Sequence, residues 1–142
     1  YKTNLGASIN PGGRKASTAG YYVHIDPSEY FLGSGLYMPM PDTLLAVRNR
    51  IASEFKAFKK IVDNTDFRRV YGKLWSADTL KTAPKGFEKD HPALEYLKLR
   101  SFIAGHTVKE EKVLSKNYAD YTAKVFKTVK PLNDFLNDAI GI

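Results

Sequence analysis

Along this chain the spacing of apolar residues switches between two and about 3.6, and each switch marks a predicted element. Tyr1 to Ile9 sets Tyr1, Thr3, Leu5, Ala7 and Ile9 against Lys2, Asn4, Gly6 and Ser8. That alternation predicts a strand or an extended lead-in segment. Asn10 to Ala19 breaks it with Pro11, Gly12 and Gly13, so a loop with Arg14 and Lys15 at its tip is expected. Tyr21 to Ile25 is aromatic or β-branched apart from His24, which suits a pleated strand. Asp26, Pro27, Ser28 and Glu29 supply turn chemistry, with Pro27 presetting φ at the first corner. A second extended run follows, in which Tyr30, Leu32, Leu36 and Met38 alternate with Phe31, Gly33, Gly35 and Tyr37. One face of that strand is therefore bare at two successive positions. Close packing of a helix over Gly33 and Gly35 is the main reading, and a ligand groove is the other. A hairpin loop of two or four residues would put Tyr22 and His24 on the same bare face.

The period then lengthens. Pro41 and Asp42 open a helix whose stripe of Leu44, Val47, Ile51, Phe55, Phe58 and Val62 steps by three or four, as one helix or as two meeting near Ser53. Asn64 and Thr65 end it. Asp66 is the expected cap of a short turn holding Phe67 and Val70, closed by Gly72, and Leu74 and Trp75 are expected to be buried. Lys81 to Lys89 has loop composition. Pro92 is placed at the first position of a helix carrying Leu94 and Leu97, and Arg100 to Val108 reads as a strand. From Ser115, the expected cap, Tyr118, Tyr121, Val125, Val129, Leu132, Leu136 and Ile140 run at helical spacing, with a kink or restart at Pro131. The predicted fold class is α+β. An antiparallel sheet containing residues near 21 to 25, 30 to 37 and 101 to 107 packs on helices near 42 to 62 and 116 to 139. A length of 142 residues suits a single domain.

Composition narrows the chemistry. There is no cysteine, which excludes disulfides, thiolate nucleophiles and cysteine zinc sites within this sequence and fits a reducing cytoplasm. No apolar run has the length of a membrane span, so no membrane association is expected. The net charge of +7 favours an anionic small molecule or nucleic acid as partner, although Lys and Arg are dispersed rather than clustered. Binding of a polyanion through such dispersed cations should weaken steeply with salt. His24, His91 and His106 lie on separate segments with no metal-binding spacing, so each is expected to be hydrogen-bonded within the fold and no metal site is expected. PGGRK at Pro11 to Lys15 is not a phosphate loop of the Walker type, since no Lys-Ser or Lys-Thr pair opens a helix after it. No serine elbow and no paired carboxylates are evident. His24 stands mid-strand on the bare face, and Asp26, two residues on, is expected to hold its ring.

Three passages carry a family likeness: YKTNLG with GGR, GYYVHIDP through FLGSGLYMP, and KGFEKDHPALEYLKLRSF. They resemble a widespread, mainly bacterial family of domains of unknown function, whose signature is R-x-x-R-D-x-R-F followed closely by K-x-x-Y. In that family Y-K-T-N comes straight after the signature, so the resemblance implies that Tyr1 is its last tyrosine and that an arginine-rich part precedes it. The likeness extends to the helix around KPLNDFL, and Met40 stands where many relatives have an acidic residue. The resemblance implies no activity. The residues on its matching motifs are Lys2, Asn4, Arg14, Tyr22, His24, Asp90, His91 and Arg100, and these are the candidate ligand-binding residues. Two readings follow. One is a basic binding module for an anionic or phosphorylated ligand, seated on the sheet face of Tyr22, His24, Gly33 and Gly35. The other is an enzyme with His24 or His91 as general base and a cationic rim stabilising negative charge.

Overall fold

The computed structural model describes residues 4–13 and 16–142. Four strands, β1 (Leu5–Ile9), β2 (Gly20–Asp26), β3 (Glu29–Leu36) and β4 (Phe102–Thr107), form an antiparallel sheet in sequence order. Asp26 pairs with Glu29, so the hairpin loop is the two residues Pro27 and Ser28. The fold is α+β, as the two periodicities predict.

Among the described residues six helices complete it: α1 (Pro41–Ser53), α2 (Phe55–Val62), α3 (Thr65–Tyr71), α4 (Leu94–Leu97), α5 (Glu110–Val113) and α6 (Tyr118–Ile140). The long apolar stripe is split between α1 and α2 because Glu54 leaves the helical region at φ −127° and ψ 43°. Val47, Ile51, Phe58 and Val62 nevertheless stay in phase and fully inside. Asn64, not Asp66, caps α3: its side chain accepts from the backbone N–H groups of Asp66 and Phe67. The reason is position, since the capping side chain must stand just before the first turn to reach those free donors. Pro92 does not begin a helix either. The single turn of α4 starts at Leu94, and His91 Nδ1 accepts from the Ala93 N–H at 3.0 Å ahead of it.

α6 runs unbroken through Pro131. Pro131 and Lys127 both lie on the exposed side, so the carbonyl that loses its partner faces water, while Val129, Leu132 and Leu136 on the other side are fully buried. Their burial offsets the roughly 3 kcal/mol that an internal proline costs. Ser115 stands too far ahead to cap this helix, and its hydroxyl instead donates to the Lys112 carbonyl at 2.6 Å.

Two asparagines tie α6 to the start of β2. Asn137 accepts from the Ala19 N–H at 2.7 Å and donates to the Ala19 carbonyl at 3.0 Å, satisfying a buried backbone pair much as a neighbouring strand would. One turn earlier, Asn133 donates to the Gly20 carbonyl and to the Ser34 hydroxyl. The helix therefore sets where β2 begins and where β3 lies beside it. Leu32, Ser34 and Leu36, with Phe102 and Ala104, are buried on the helix-facing side, and the alternate residues face the other way.

Candidate ligand cavity on the open face of the sheet

Register decides what the second face carries. Tyr22 pairs with Gly33, and Gly33 with Gly105; Gly20 pairs with Gly35, and Gly35 with Ile103; His24 pairs with Phe31, and Phe31 with Thr107. Residues directly opposite in an antiparallel ladder share a face. Tyr22, His24, Gly33 and Gly35 thus lie on one side together with Gly105, which the one-strand reading could not place. The bare positions do not seat a helix: among the described residues the helices pack on the opposite face, because Leu32, Ser34 and Leu36 carry the contacts to the core.

The glycines serve different ends. Gly35 has φ 115°, and a Cβ there would strike the Phe102 carbonyl oxygen, so its bareness lets β3 and β4 close on each other. A Cβ at Gly105 would meet nothing within 4 Å, so its bareness leaves open space. That space is a cavity of about 920 Å³ floored by Gly33, Gly35 and Gly105. Phe31 stands near one end of β3 and Tyr37 just beyond the other. Their backbones are six positions, roughly 20 Å, apart along the strand, and the Phe31 ring leans over Gly33. Tyr22 forms part of the wall, Trp75 stacks obliquely on Tyr37 with ring centroids 6.3 Å apart, and Asn10, Ser17 and Thr18 close the side next to β2.

Trp75 corrects the expectation of burial, being 41% exposed. Its backbone N–H donates to the Ile103 carbonyl at 2.8 Å, which ties Trp75 to β4, and the residue lines the cavity rather than the core. Lys73, on the same short stretch, lines the cavity as a cation, and Glu29 lines it as a carboxylate. Gly72, at φ 69°, makes the turn that brings this stretch out of α3.

His24 is on the expected face but is held differently from expectation. The Tyr22 hydroxyl and His24 Nδ1 are 3.1 Å apart, and Phe31 stacks on the imidazole with centroids at 4.5 Å. Asp26 does not hold the ring: its carboxylate accepts from the Ser28 N–H and hydroxyl at 2.9 and 2.7 Å. The tight two-residue turn presents Ser28 to Asp26 before any neighbour on the strand can compete. These Ser28 bonds hold the Asp26 carboxyl below its ordinary range, with smaller help from His24 and from Asn4.

The remaining candidates scatter. Lys2 and Arg14 lie outside the described residues. Asp90 is exposed on the loop before α4, and His91 caps the turn that follows. Arg100 pairs loosely with Asp78 at 3.4 Å beside Arg48, whose guanidinium donates to the Leu99 carbonyl and is held below its usual range first by burial and then by Arg100. Neither His91 nor Arg100 lines the sheet cavity. His106 faces the helices, bonded through Nδ1 to the Val70 carbonyl at 2.8 Å and through Nε2 to the Tyr121 hydroxyl. Sequence reasoning missed Gly105, Lys73, Trp75 and Thr107 as cavity residues. The signal for Gly105 was present in RSFIAGHTV, but only pairing with β3 gives it a place.

Fold and site together define an α+β domain with an aromatic-ended, glycine-floored cavity on its open sheet face. The chain belongs to the family described as Conserved hypothetical protein (DUF2461), which matches residues 1–135. No curated protein and no solved structure matches it. Among the described residues no helix is long and apolar enough to cross a membrane, and no three metal-ligating side chains converge.

Proposed function

We propose that this domain is a binding module for a small molecule that joins a planar ring to an anionic group, held in the cavity on the open sheet face. The observation that carries the reading is the floor of Gly33, Gly35 and Gly105 between Phe31 and the Tyr37–Trp75 pair. A bare backbone floor admits a flat ring, and aromatic side chains stack on it. At about 920 Å³ the cavity is near the top of the range of about 300–1,000 Å³ for small-molecule sites. Lys73 supplies the cation for the anionic group, Ser17 supplies a hydroxyl donor, and the net charge of +7 draws anions in. Adenosine monophosphate carries both required parts, and Trp75, the only tryptophan of the chain, reports on its arrival. Saturable quenching of Trp75 by adenosine monophosphate, weaker with adenosine alone and reduced in Lys73→Ala, is the expected result. Quenching that is linear in ligand, or unchanged in Lys73→Ala, contradicts the reading.

One observation favours an enzyme instead. Tyr22 lines the cavity and its hydroxyl lies 3.1 Å from His24 Nδ1, a phenol–imidazole pair of the kind that relays a proton. Turnover of p-nitrophenyl phosphate or p-nitrophenyl acetate that is lost in Tyr22→Phe and His24→Gln, with adenosine monophosphate affinity retained, would favour it over pure binding.

A further inference from the structure

A second cavity, of about 380 Å³, lies between the end of α2, α3 and the stretches 73–79 and 95–99. Its floor is apolar, formed by Val62, Leu74 and Leu99, all buried. Its rim is basic, formed by Arg68, Lys73 and Lys98. Arg68 is fixed: Nε donates to the Val62 carbonyl at 2.9 Å and the guanidinium pairs with Asp63, which also takes Lys59 at 2.5 Å. Among the described residues neither Lys73 nor Lys98 is in an ion pair. Around this cavity four cations, Lys59, Arg68, Lys73 and Lys98, meet two carboxylates, Asp63 and Glu95. Two uncompensated ammonium groups on one concave wall repel each other, and an anion between them removes that repulsion.

The rest of the lining is suited to hydroxyl groups. Glu95 is exposed and in no ion pair among the described residues, so its carboxylate is an acceptor without a fixed donor. The Thr79 hydroxyl donates to the Ser76 carbonyl at 2.6 Å, which stiffens the 76–79 turn, and both residues line the cavity. A phosphate alone would not need a carboxylate at its side. A phosphate ester on a polyol would, because the hydroxyls donate to Glu95 while the phosphate sits between the lysines. We infer that this smaller cavity is a site for a sugar monophosphate, with Lys98 holding the phosphate, Lys73 joining it when not turned to the sheet cavity, and Glu95 holding the hydroxyls.

The test is a titration of the ¹⁵N-labelled protein with glucose 6-phosphate at constant ionic strength, with inorganic phosphate and glucose as separate controls. Saturating amide shifts confined to residues 73–79 and 95–99 are expected, with Kd raised at least tenfold in Lys98→Ala. Glu95→Gln should weaken glucose 6-phosphate several-fold and leave inorganic phosphate as tight or tighter. Shifts scattered over many lysines, or Lys98→Ala titrating like the wild type, overturn the site. Equal weakening of both probes in Glu95→Gln overturns its polyol half. Lys98 and Glu95 line only the smaller cavity, so these outcomes stand apart from the fate of the adenosine monophosphate reading.

Discussion

Two glycines on one sheet face should respond to the same substitution in opposite ways. At Gly35 an alanine is forced to φ 115°, a conformation costing a residue with a side chain about 1–3 kcal/mol. Its Cβ would also overlap the Phe102 carbonyl oxygen, and parting β3 from β4 to relieve this adds about 1–3 kcal/mol, as overpacking does elsewhere. At Gly105 the Cβ meets nothing within 4 Å and φ lies outside the left-handed region, so nothing opposes the substitution. Restricting the unfolded chain there gives a gain of about 0.4–1 kcal/mol. The two variants should therefore differ by about 4 kcal/mol. For a chain of this size each kcal/mol shifts Tm by about 2–4 °C, so Gly105→Ala should melt at least about 5 °C above Gly35→Ala and at or slightly above the wild type. Thermal melts followed by circular dichroism, with urea midpoints as a second reading, decide it. If the variants melt within about 2 °C of each other, the division into one closing glycine and one open glycine is wrong.

Asn137→Ala should leave the buried N–H and carbonyl of Ala19 without partners and cost about 3 kcal/mol, visible as a lower urea midpoint, whereas Lys127→Ala on the exposed side of α6 should change it little. The Asp63 carboxyl is held below its ordinary range, first by its hydrogen bond with Lys59 and then by Arg68. Its folded pKa is depressed, so its contribution is present above the unfolded value and lost as pH falls through the folded one; the wild type should exceed Asp63→Asn in stability at pH 7, and the gap should close below about pH 4. If a nucleic acid is the partner, log K should fall linearly with log salt, and salt-insensitive binding would exclude contacts made by dispersed lysines and arginines.

The parts of the fold that rest on local pattern were legible in the sequence. Alternation around the Asp26 to Glu29 turn gave the hairpin and, through parity, the shared face of Tyr22, His24 and Gly33. The stripe from Leu44 to Val62 gave α1 and α2, including a break near Ser53. What was not legible depends on partners distant in the chain. Trp75 looks apolar enough for a core, yet a backbone bond to Ile103 ties it to β4 and the residue lines the cavity. Asp26 and His24 share a face, yet Ser28 claims the carboxylate and Tyr22 the ring. Pro131 reads as a break until the buried face on either side of it is known. Gly33 and Gly35 read as a helix seat because only the order β2-β3-β4 shows that Gly105 extends the bare surface. Lys73 carries no local signal, and its place between two cavities comes from the Gly72 turn.

Filling the sheet cavity from its own floor is the most direct test of the central claim. Gly105→Leu places an isobutyl group into space where a Cβ meets no neighbour, so the fold should be retained and its Tm should match the wild type within about 3 °C. Titrated with adenosine monophosphate under Trp75 fluorescence, the wild type should show saturable quenching and Gly105→Leu none. A folded Gly105→Leu protein that titrates like the wild type would show that the ligand does not lie on the glycine floor, and would contradict the account.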